Sequence, residues 1–248
     1  MNGASAPRPL ITLGAFALAV AAHCGAAMGQ EPPLPPPRPA EIGPAAPAKP
    51  ALRSALQMGP EGAGPACLAE LIAGGAGAEA AATPAPTAAG CGIAAPVRLS
   101  SVTLAGGDAV SFPDRPLLEC AFALVLADYI RLIVAPLGEA ILRSKVVSIE
   151  TGPGYECRGR DRIAGAKVSA HGKGLAADFV AIEFDDKRRV LVAHQASADE
   201  TFYFRAIHMA ACGWFKTVLG PGADTFHADN MHLDIESHGS NGSYRICE

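Results

Sequence analysis

The sequence predicts an α+β domain in which a small antiparallel sheet is flanked by two long helices and braced by disulfides. Helices and strands follow one another in mixed order, which favours α+β over a regular βα alternation. The links between neighbouring strand-like runs are of hairpin length, as at Gly106-Gly107 and Asp185-Asp186. Setting aside Cys24 of the N-terminal segment leaves Cys67, Cys91, Cys120, Cys157, Cys212 and Cys247, an even set suited to disulfides.

In chain order, Arg8 precedes an apolar stretch from Leu10 to Ala22, and Ala27-Met28-Gly29 offers small residues for cleavage. Residues 1–29 therefore read as a signal peptide, with an uncleaved membrane anchor as the alternative; His23 beside Cys24 argues against a lipoprotein signal. Residues 30–65 are rich in Pro and Ala, as in Pro32-Pro33-Leu34-Pro35-Pro36-Pro37, and are expected to form an extended polyproline-II linker. Residues 66–248 should form the folded domain, with Gly74 to Ala89 a low-complexity loop or weak helix.

Within the domain, Val97 to Leu104 alternates as a strand does. Leu117 to Val134 is a long helical candidate ended by Pro136, and its Glu119, Asp128 and Arg131 argue for a buried helix over a membrane span. Lys145 to Glu150 and Leu175 to Phe184 are strands, and Val190 to Val192 pairs back after the Asp185-Asp186 turn. Ala198 to Leu219 is the second helix, with Phe202, Ile207, Ala210, Ala211 and Trp214 toward the core. Met231 to Ile235 is the last strand.

The charge balance of −4 and a pI near 6.0 give no electrostatic case for nucleic acid. An exported chain favours disulfides over thiolate metal sites, and no CxxC pair is present. Fifteen pairings of six cysteines are possible; the shortest loops would join Cys67 to Cys91, Cys120 to Cys157 and Cys212 to Cys247.

Two segments carry the chemistry. His171 and Asp178, in Ser169-Ala-His-Gly-Lys-Gly-Leu-Ala-Ala-Asp178, are seven positions apart. On one straight helix that spacing would separate them by roughly 10 Å, too far for one metal. The chain must fold back between them, and Gly172 and Gly174 suit the turn. Near the end, period two places Asn230, His232 and Asp234 on one strand face and Met231, Leu233 and Ile235 on the other. Two imidazoles and a carboxylate make the ligand set of a one-metal hydrolytic site. Asp229 is a candidate base or a turn carboxylate, His227 a candidate for proton transfer or a surface residue, and Asp234 a candidate for orienting a ligand.

The pattern Ser169-x-His171-x-x-Gly174-x-Ala176-x-Asp178 resembles the first zinc motif of the LAS group of metallopeptidases, which includes the D-alanyl-D-alanine peptidases, the lysostaphin-type enzymes and the hedgehog signalling domain. The chain is still more similar to the bacterial extensin-like C-terminal domain family. Tyr155-x-Cys157-Arg158, Ala211-Cys-Gly-Trp-Phe215, Leu219-Gly-Pro-Gly222 and His227-x-Asp229-x-x-His232-x-Asp234 all fit that family. None of the Ser-Pro repeats of a plant wall glycoprotein is present.

The resemblance implies a LAS/hedgehog-like fold, zinc held by His171, Asp178 and His232, and Asp229 as general base. It implies a substrate- or oxyanion-holding role for Arg158, which a structural salt bridge would equally explain. Many members carry HxH in the last strand; here Asn230 stands at the earlier position, and an amide there can donate a hydrogen bond but cannot become an imidazolium. The expected function is exported, zinc-dependent hydrolysis of peptidoglycan peptide bonds, with those of D-amino acids as the expected targets, by a periplasmic or envelope monomer. The alternatives are a non-catalytic, zinc-stabilised envelope binding module and a purely structural, disulfide-held domain.

Overall fold

The computed structural model describes residues 64–163 and 165–248, so the signal peptide and nearly all of the linker lie outside the described residues. In order these residues form α1 (Gly64–Ala73), β1 (Ala76–Ala80), β2 (Pro96–Thr103), β3 (Ala109–Ser111), β4 (Leu117–Glu119), α2 (Cys120–Leu142), β5 (Val146–Thr151), β6 (Ala176–Phe184), β7 (Arg189–Leu191), α3 (Ala198–Trp214), β8 (Thr217–Leu219), β9 (Met231–Asp234) and β10 (Ile246–Cys247). The class is α+β. The sheet, however, is a mixed one of ten strands, running β1-β2-β3-β5-β6-β9-β8-β10, with β4 added to β2 and β7 to β6.

The expected small antiparallel sheet is corrected in both respects. β3 meets β5 in parallel at Ser111 and Ser148, and β10 runs parallel to β8. Two strands escaped pattern reading because they lack its signal. β1 is Ala-Gly-Ala-Glu-Ala, within the stretch expected to be a loop or weak helix; its small side chains let it lie close against the serines of β2, and Ser100 donates to the Gly77 carbonyl. β8 lies inside the segment assigned to the second helix, which ends at Trp214. Phe215 is extended, and β8 pairs with β9.

The first long helix begins at Cys120, after Glu119 has closed β4, and continues past Pro136 to Leu142. Wide π turns explain why proline does not end it. The Ala135 N–H reaches back five residues to the Ile130 carbonyl, and Pro136 falls in the first turn of the short α segment that follows, where no donor is needed. Although α2 is long and apolar enough to cross a membrane, Phe122, Val125, Leu126, Tyr129 and Ile130 are buried in the core. Tyr129 donates to the Ile207 carbonyl and Tyr203 to that of Val134, so the two buried phenol hydroxyls lock α2 to α3.

On α3 the buried stripe is Tyr203, Ile207, Ala211 and Trp214, in helical spacing, whereas Phe202 is 63% exposed. The expected core positions Ile207, Ala211 and Trp214 are buried and Ala210 is half-buried, but the inward aromatic of the first turns is Tyr203 and not Phe202. Ser197 caps the helix by accepting from the Glu200 N–H.

The disulfides join Cys67 to Cys120, Cys91 to Cys157 and Cys212 to Cys247, which corrects two of the three expected pairs. Loop economy fails because α1 packs against α2, placing Cys67 beside the first residue of that helix. Cys91 is left to tie down the segment that carries Arg158. Mapping of non-reduced peptides should recover these three pairs. Replacing Cys67 and Cys120 together by serine should lower unfolding stability in urea by about 2–5 kcal/mol, given the 53-residue separation they span.

Candidate metal centre

β6 is the strand around which the site forms. One of its edges takes β5; the other takes β9 along Ala176–Phe179 and β7 along Ala181–Glu183. The antiparallel register sets Asp178 directly opposite His232. Cross-strand partners of this kind have Cβ atoms about 4.5–5.5 Å apart, close enough to share a ligand. On β9, Met231 and Leu233 enter the core while His232 and Asp234 line the cleft.

His171 comes from the 3₁₀ turn Ala170–Lys173 just before β6. Gly174 closes that turn at φ 68°, and a Cβ there would lie 2.8 Å from the Glu119 nitrogen. The turn carries the chain back so that His171 reaches the residue seven positions ahead of it.

The inward-facing atoms form a compact triangle. His171 Nε2 lies 3.1 Å from His232 Nδ1 and 3.2 Å from Asp178 Oδ2, and His232 Nδ1 lies 2.9 Å from Asp178 Oδ1. A tetrahedral zinc with bonds of about 2.0–2.1 Å has ligand–ligand edges of about 3.3 Å. The donor set fits such an ion after outward movements of a few tenths of an ångström.

The outer nitrogens decide the tautomers. His171 Nδ1 is 2.8 Å from the Gly154 carbonyl, which can only accept, so its Nε2 presents a lone pair inward. His232 Nε2 is 3.1 Å from Asp234 Oδ2, while Asp234 Oδ1 accepts from the Glu236 backbone. A carboxylate or carbonyl behind each ligand imidazole is the arrangement that orients metal-binding histidines.

With both outer nitrogens donating, the centre brings two lone pairs and a carboxylate together, and a cation must separate them. In the absence of metal, a proton can do so. Burial works against charge on His232, yet the Asp178 and Asp234 carboxylates push its pKa up to about 9. Burial likewise opposes ionisation of Asp178, but the His171 and His232 imidazoles that face it hold it far below the usual carboxylate range.

The remaining sequence candidates line the same cleft. Arg158 donates from Nε to Glu156 at 2.9 Å, and its terminal nitrogens make no hydrogen bond among the described residues. Asp229 is exposed at the rim and accepts from Asn230 Nδ2 at 3.1 Å. Asn230 also donates to the Phe226 carbonyl, which leaves its Oδ1 buried and unpaired. The His227 ring packs against that of His232 at 5.6 Å, and its Nδ1 meets both oxygens of Asp224 at 2.8 and 2.9 Å.

Sequence reasoning missed three contributors. Asp224 had only its three-residue spacing from His227 as a signal. Gly154 had none, since it acts through its carbonyl and stands at φ 78°, where a Cβ would meet the Leu117 carbonyl oxygen at 2.5 Å. Glu236, 5% exposed, gathers Arg160, Lys167 and Lys173 at the cleft wall.

The family model described as Extensin-like protein C-terminus matches residues 65–248. No curated protein and no solved structure matches the chain.

Two outcomes follow for metal binding. Replacing Asp234 by Asn should weaken zinc affinity about 10–100-fold in a chelator competition. Binding must also displace the proton on His232, so apparent affinity should rise by about one decade per pH unit between pH 6 and 8 and flatten above about 9. A pH-independent affinity across that range would refute the exchange.

Proposed function

The chain belongs to the extensin-like C-terminal family, and from that premise and its site we propose that it is an exported zinc-dependent hydrolase of amide bonds in cell-wall peptidoglycan, acting at D-amino acids with the LAS metallopeptidases as its functional relatives. The observation that carries this reading is the triangle of His171, Asp178 and His232, with the outer nitrogen of each imidazole already committed to an acceptor. Three disulfides favour an oxidising compartment outside the cytoplasm, here the periplasm or envelope.

His171, Asp178 and His232 would hold a zinc ion, which would supply a Lewis acid and lower the pKa of water at the site to about 7. The chain's own groups would do the rest. Asp229, at the rim of the same cleft, would accept the proton of the attacking water and return it to the leaving amine. Arg158 is better placed than Asn230 to hold a developing oxyanion, because both hydrogens of the Asn230 amide are already donated to Phe226 and Asp229. His227, steadied by Asp224, provides a second group for proton transfer.

The engaged Asn230 also supports a second reading, a zinc-stabilised module that binds envelope polymers without cutting them. The two separate in a digest of purified muropeptides by zinc-loaded protein. Turnover is expected, with Asp229→Ala keeping its zinc and losing about 10²–10⁴ in kcat. Wild-type protein that binds muropeptides without cutting them would instead establish the binding module.

A further inference from the structure

Two cavities, of about 490 and 310 Å³, meet at the metal centre. Arg158, Arg162, His171, Asp178, Asp229 and Asn230 line both. Beyond them, one arm extends past Phe226 toward Leu219, His238 and Ile246. The other extends past Gly152 and Pro153 toward Val180, Leu191 and Ala193.

The strand order explains this shape. β9 and β7 share one edge of β6 end to end, and the changeover falls at Val180. A sheet edge shared by two strands leaves a gap between them, and the second arm opens there. The first arm is walled by the C-terminal segment, which Cys212–Cys247 and the Thr217–His238 hydrogen bond hold against β8.

Charge points the same way. A pocket that recognises a free chain terminus needs an uncommitted cation at its closed end, where it can take the α-carboxylate. Arg160 is paired with Glu236, and Arg162 with Glu156. Arg158 sits where the cavities join, beside the reacting centre rather than at an end. Beyond the shared residues, the second arm is lined by glycine, proline and apolar side chains apart from Glu156.

We propose that the cleft is a through-groove for a peptide that continues on both sides of the scissile bond, so that the protein acts on cross-linked wall peptides as an endopeptidase and does not trim free termini. This rests on the hydrolase reading for its chemistry but not for its shape. Exposed Phe226 forms the rim of one arm and exposed Ala193 that of the other, so substituting either tests its arm while leaving the metal ligands and core intact.

The experiment compares cross-linked muropeptide dimers with monomers ending in free D-alanyl-D-alanine, by product analysis and by calorimetric affinity. Dimers should be cut to monomers with no free D-alanine released, and Phe226→Ala and Ala193→Arg should each weaken dimer binding about 10-fold. Release of D-alanine from monomers with dimers left intact would overturn the proposal. If zinc-loaded protein cuts neither, the hydrolase reading fails and affinity alone decides. Tighter binding of dimer than monomer, sensitive to both substitutions, upholds the groove. Equal affinities, sensitivity at one arm only, or no binding of dimer overturns it.

Discussion

The antiparallel register between β6 and β9 is the constraint on which the site depends. It sets Asp178 opposite His232, and a slip of β9 by one residue would turn His232 into the core while bringing its apolar neighbours Met231 and Leu233 into the cleft beside Asp178. The core enforces the register from the other face, because Phe179, Met231 and Leu233 fit there only in this alignment. Two of the three candidate ligands are thus placed by ordinary sheet packing. Only His171 needs a special device, the turn closed by Gly174.

That device is itself held from several sides. The segment from Gly154 to Lys173 covers the end of β6, and its Gly154 carbonyl orients His171. Cys157 is bonded to Cys91, and Glu236 ties Arg160, Lys167 and Lys173 to the residue just beyond β9. Glu236 would be costly to bury alone; with three cations around it, burial instead secures the cleft wall. Its backbone N–H also binds Asp234, so one residue links the wall to the carboxylate behind His232.

What the sequence made legible follows the physical basis of each signal. β6 could be read from its run of apolar, β-prone residues, and β9 because its side chains alternate between core and cleft. His171 and Asp178 stood out because their spacing required a turn and glycines were present to make it. β1 was hidden because alanine and glycine show no alternation, and β8 because its three residues follow a helical pattern without a break. Pro136 misled because its conflict with a helix is local and a π turn absorbs it. The cysteine pairing was illegible in principle, since packing of α1 on α2, and not distance along the chain, selects Cys120 for Cys67.

The same arrangement would make the fold independent of a metal bound at the site. In a small zinc domain the ion substitutes for a missing core, and the apo chain unfolds. Here the ligands sit at the surface of a sheet whose other face is already packed, and three disulfides close the chain independently of the site. Charge balance at the site is also preserved without an ion, because the proton that Asp178 and Asp234 stabilise on His232 answers the buried carboxylates. A metal bound there would therefore replace one cation by another with the geometry of the network largely in place. A preformed set of this kind is under no folding requirement to hold a metal, so the outer acceptors, Asp234 and the Gly154 carbonyl, would act on ligand orientation and affinity rather than on the stability of the domain.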